Sequence, residues 1–157
     1  MLNTQGLHAK LSRPFTSGRT WAILGERWAE RYARLALGAA FLSSVAARFG
    51  LWGTRSSWRN FADFTRYTAE VNAFMPAFTI PFLAWAATIA ELLLGIALVL
   101  GVWPRRVALA SALLLALFGV SMAISFGIKS PLDYSVFSAS AAALLLAFHR
   151  TGNGSTA

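Results

Sequence analysis

Apolar residues are unevenly spread along this chain: long uncharged runs alternate with short segments that hold nearly all the Lys and Arg. The pattern predicts helices that cross a bilayer, joined by short loops. A first span is expected over about 31–52, with an uncharged centre from Leu35 to Ala47 between Arg34 and Arg48. Thirteen apolar residues also suit the hydrophobic region of a signal peptide, with Ala46 and Ala47 near a cleavage point. The thirty-four residues ahead of them are too long for its basic leader, which favours a retained span.

A second span, about 76–102, is long enough to cross ~30 Å of hydrocarbon at ~1.5 Å per residue. Glu91 is its only charge. Gly101, Trp103 and Pro104 close it, and Arg105 and Arg106 mark a tight turn into a third span, about 107–128. So short a connection predicts an antiparallel helix pair. The run Lys129-Ser130-Pro131-Leu132-Asp133 reads as a helix start, with Ser130 as N-cap, Pro131 in the first turn and Asp133 facing the positive helix end. A fourth span then fills about 131–149. Between spans one and two, Ser57 is expected to cap a short interfacial helix with Trp58, Phe61, Thr65 and Ala69 on one side.

The expected fold class is therefore an all-α membrane protein, a four-transmembrane-helix bundle with a short interfacial helix between spans 1 and 2. Its membrane domain covers 31–149, between a basic N-terminal tail (1–30) and a small, polar, disordered tail (150–157). Lys and Arg number nine on the side of the N-terminus and five on the other, which places both termini in the cytoplasm of a multi-pass inner-membrane protein.

Composition changes this picture little. The 157 residues are 57% hydrophobic with a formal charge of +8, and basic residues that flank apolar spans fit anionic lipid rather than nucleic acid. The absence of Cys excludes a disulfide relay, an iron-sulfur cluster and a thiol nucleophile within the chain. His8 in the tail and His149 at the end of span four do not make a bis-His haem site, and no metal-ligand spacing, phosphate loop or nucleophile elbow occurs. Ser111, Ser121, Ser125 and Ser138 read as hydrogen-bonding groups between helices.

Candidate chemistry centres on Glu91, close to the midplane of span two, where an ionised carboxylate needs a protein partner. Helical spacing puts Ala84, Ala87, Thr88, Glu91 and Gly95 on one small or polar face, opposite Phe82, Trp85, Ile89, Leu92, Ile96 and Val99. On span one, Arg34, Gly38, Phe41, Val45 and Arg48 share a side, and Arg48 is the preferred partner. The pair either fixes helix register or forms a proton or ligand site together with Thr88. Lys129, Asp133 and Tyr134 form a second polar cluster; capping accounts for Asp133, and a helix start can also receive an anion.

Several of these residues carry a resemblance. Arg-Leu-Ala-Leu-Gly at Arg34 to Gly38, the basic Arg48, Ala-Glu-Leu-Leu-Leu-Gly at Ala90 to Gly95, and Gly101-Val-Trp-Pro-Arg-Arg resemble the DoxX family over about 31–147. The resemblance implies a small bacterial inner-membrane protein, related to a thiosulfate:quinone oxidoreductase subunit and to partners of membrane or periplasmic redox proteins. The family's buried Glu and basic residue fall on Glu91 and Arg48.

The expected function is that of a non-catalytic partner or anchor of a membrane-associated redox or stress-response complex, open to homo-oligomerisation. The alternative is a quinone-linked oxidoreductase subunit in which Glu91 and Arg48 handle protons or a quinol headgroup, with quinone as cofactor. Small-molecule transport is less favoured, since four short spans show no inverted repeat.

Overall fold

The computed structural model describes residues 16–53 and 58–149, and every regular element among them is helical. In chain order these are α1 (Thr16–Arg48), α2 (Phe61–Val71), a 3-10 turn (Ala77–Thr79), α3 (Ile80–Leu100), α4 (Pro104–Phe126), α5 (Lys129–Asp133) and α6 (Val136–Phe148). The long helices α1, α3, α4 and α6 pack together, most extensively as an α1–α3 pair and an α4–α6 pair.

The α1–α3 pair is antiparallel: Arg34 Nε donates to the carbonyl of Leu98 at 3.3 Å at one end, and Arg48 meets Thr88 and Glu91 at the other. Glycine lets the two backbones approach. A Cβ added at Gly38 would lie 3.0 Å from the Gly95 carbonyl oxygen, and one at Gly95 would lie 3.0 Å from Leu42 Cγ. In the α4–α6 pair, Ser140 Oγ donates to the Ala112 carbonyl at 2.8 Å, and Gly119 makes room for the Phe137 ring. Leu37, Phe41, Leu98, Val107, Ala112 and Ala143 bring the two pairs into one core.

The structure changes the expected elements at several points. The first helix begins at Thr16 rather than near 31 and stops at Arg48. An i,i+4 ion pair, Glu30–Arg34 at 3.6 Å, supports it across the expected boundary. At its other end Gly50, at φ 71°, turns the chain. Two helical stretches, Ala77–Leu100 and Pro104–Phe126, are long and apolar enough to cross a membrane. The fourth expected span is broken: Ser135, at φ 55°, separates α5 from α6. The 13 residues of α6 rise only about 20 Å, short of the ~30 Å hydrocarbon core.

Capping differs too. Ser130 lies inside α5, which starts after Ile128 without a side-chain cap, and Asp133 ends that helix instead of opening one. The expected cap Ser57 and the tail residues before Thr16 and after His149 lie outside the described residues. Asn60 caps α2, its side chain accepting from the Asp63 backbone N–H at 3.0 Å. Its buried stripe is Phe64, Thr68 and Val71, at i, i+4 and i+7, rather than Phe61, Thr65 and Ala69. Of the serines, Ser111 bonds within its own helix to Val107, whereas Ser125 reaches across to the Val71 carbonyl at 2.6 Å and ties α2 to α4.

Candidate functional site: a buried ion pair under an aromatic roof

The buried face of α3 consists of Ile80, Ala84, Thr88, Glu91, Gly95 and Leu98. Its outward face carries Phe82, Trp85, Ile89, Leu92, Ile96 and Val99. On α4, Leu113, Leu117, Val120 and Ile124 are similarly exposed. Apolar faces this extensive are unfavourable against water and suited to lipid. The polar residues are kept inside: Arg48 and Glu91 are each 2% exposed.

Glu91 lies eleven residues after Ile80 and nine before Leu100, roughly 14–17 Å from either end of the helix. At that depth water cannot stabilise the carboxylate, and Arg48 replaces it: Nη2 donates to Glu91 Oε1 at 2.5 Å. Arg48 Nη1 donates to Thr88 Oγ1 at 2.8 Å, and Thr88 in turn donates to the Ala84 carbonyl at 2.7 Å. Ser44, one turn before Arg48, accepts from Nη2 at 3.3 Å. The pair is monodentate, leaving Arg48 Nε and Glu91 Oε2 buried without a hydrogen-bond partner.

The end of α1 explains what closes the site. Arg48 lies level with Thr88, so α3 continues for about two more turns, roughly 12 Å, beyond the last residue of α1. The freed space is taken by α2 and its aromatic residues. The Phe64 ring lies over the Arg48 guanidinium, 3.8 Å from ring centroid to Cζ. Trp58 packs edge-on to Phe64 at 5.2 Å, and Phe61 joins Phe64 at 5.9 Å to Trp85 at 4.4 Å. Phe49, just after Arg48, stacks on Phe61 at 5.7 Å. An aromatic face over a desolvated guanidinium is attractive by about 2 kcal/mol.

The structure brings Arg48, Thr88 and Glu91 together and keeps the second polar cluster apart. Lys129 Nζ and Asp133 Oδ2 are 2.5 Å apart within α5, but their side chains are 82% and 57% exposed. Tyr134 is exposed as well. Among the described residues, no hydrogen bond or ion pair links these three to the buried site. Tyr134 lies near Tyr67 on α2, whose hydroxyl is held above the usual tyrosine range by burial first, then by Tyr134 and Glu70.

Sequence reasoning missed Ser44 and the roof residues Phe49, Phe64 and Trp85. Ser44 was detectable as the i−4 neighbour of Arg48, and Phe64 from its spacing with Thr68 and Val71. Contacts from α2 onto α3 carry no local signal.

A lipid-facing apolar shell around a buried, roofed ion pair defines a helical membrane protein with an internal polar site. A family model described as methylamine utilisation protein MauE matches residues 26–135, more than half of the chain and all of the site, and the chain belongs to that family. No curated protein and no solved structure matches it. The match corrects the resemblance to the DoxX family. Two of the motifs behind that resemblance, Arg34 to Gly38 and Ala90 to Gly95, place a glycine among leucines on each of two helices, which any closely crossing membrane helix pair needs, so they do not separate families.

Proposed function

We propose that this chain is an accessory membrane protein of a bacterial redox system for amine oxidation, supporting a membrane or periplasmic redox protein rather than carrying out the oxidation. It lies in the inner membrane with both termini in the cytoplasm, and Arg48, Thr88 and Glu91 are its working site. The observation that carries this reading is the MauE match, because its span includes α2, α3, α4 and the whole buried site. The flanking basic residues support the orientation. The quinone-linked alternative rested on the resemblance that the family match replaces, and is not carried further.

The test is deletion of the chain in its host, combined with purification of a tagged copy from native membranes in mild detergent. A fall in methylamine-dependent respiration and co-purification of a defined redox protein are expected. Unchanged respiration with recovery of a lone chain would contradict the proposal.

A further inference from the structure

The accessory reading leaves two atoms unexplained. Arg48 Nε and Glu91 Oε2 are buried, unpartnered, and belong to residues already joined through their other atoms. Among the described residues the neighbouring polar side chains are Thr88, which accepts from Nη1 and donates to Ala84, and Ser44, which accepts from Nη2 and whose own hydroxyl also lies within reach of Glu91. Phe64 covers a face of the guanidinium and offers no hydrogen bond. Among the described residues, the donor Arg48 Nε and the acceptor Glu91 Oε2 stay without a hydrogen-bond partner of their own.

This combination selects a chemistry. An anion would satisfy Arg48 and be repelled by Glu91. An ammonium group would satisfy Glu91 and be repelled by Arg48. A carbonyl or ether oxygen accepts only, leaving the carboxylate oxygen bare. A hydroxyl does both through one atom, accepting from an N–H and donating to a carboxylate. Buried polar groups that lack protein partners are ordinarily satisfied in this way.

We propose that the Arg48–Glu91 pair is a binding site for one hydroxyl group, carried by an internal water or by a small alcohol or phenol, held beneath Phe64 between Arg48 Nε and Glu91 Oε2. The hydroxyl completes a hydrogen-bonded ring through guanidinium and carboxylate and converts a monodentate contact into a closed one. The proposal goes beyond the accessory role and needs neither a partner nor an amine to be tested.

The experiment is infrared difference spectroscopy of the purified full chain in lipid nanodiscs, in ordinary and in ¹⁸O-labelled water, together with mass spectrometry of solvent extracts of the same preparation. Arg48→Met/Glu91→Leu, which removes donor and acceptor without leaving a charge, serves as control, with helix content checked by circular dichroism. A hydroxyl-stretching band that shifts with ¹⁸O in the parent and is lost in the double variant identifies water. A small hydroxyl compound extracted in about one-to-one ratio from the parent alone identifies a ligand. The parent spectrum stands without the variant, because an Arg48 Nε–H band at a free, unbonded frequency overturns the proposal by itself. So does a parent that yields no ¹⁸O-sensitive band and no compound, or one whose band persists unchanged in a folded double variant.

Discussion

Two ion pairs in this molecule have the same length and opposite surroundings. Arg48–Glu91 and Lys129–Asp133 each bring nitrogen and oxygen to 2.5 Å, but the first is 3% exposed on both sides and the second 82% and 57%. Distance therefore says nothing about what either contributes. The exposed pair competes with water and loses most of its attraction to screening. The buried pair has no water to fall back on, so each charge depends on the other. The first joins two helices through residues forty-three positions apart in sequence, whereas the second joins two ends of one short helix.

Substitutions can break this contrast in graded steps. The largest effect is expected from Glu91→Ala, which leaves Arg48 charged and unpaired: about 3–5 kcal/mol of stability, measured by reversible unfolding in mixed detergent micelles. Replacing both residues, as Arg48→Met/Glu91→Leu, should restore most of that loss in the same titration, because no lone charge remains. Phe64→Ala removes a buried ring and its contact with the guanidinium and should cost about 3 kcal/mol. Gly38→Leu forces a side chain against the Gly95 carbonyl and should cost about 1–3 kcal/mol by the same measurement, separating helix approach from ionic contact. Asp133→Ala should change stability by no more than about 0.5 kcal/mol. A loss comparable to that of Glu91→Ala would collapse the distinction between the two pairs.

The same contrast shows what the sequence could reveal. Glu91 is the only charge in a long apolar run, and its helical neighbours are small, so a carboxylate there had to face protein. Arg48, on the side of the first span that also holds Arg34, Gly38, Phe41 and Val45, followed as its preferred partner. What failed were inferences from local pattern where backbone geometry decides. Pro131 and Ser130 suggest a helix start, yet the left-handed Ser135 five residues after Ser130 splits the segment in two. The start of α1 was hidden because a helix continues through polar residues as readily as apolar ones once ion pairs such as Glu30–Arg34 support it. The roof was hidden for a different reason. The spacing of Phe64 with Thr68 and Val71 marks it as buried, but its contact with Arg48 is made only when α2 folds back over the end of α1, and no spacing within α2 indicates where it will land.

The central claim is that the buried pair, and not the exposed one, is the working site of an accessory protein for amine oxidation. It is tested most directly by measuring methylamine-dependent respiration in cells whose own copy is replaced by Arg48→Met/Glu91→Leu or by Lys129→Ala/Asp133→Ala, at equal abundance in the membrane. The account predicts that the first replacement abolishes the respiration supported by the chain and that the second leaves it at the parent level. Parent-level respiration with Arg48→Met/Glu91→Leu would contradict it.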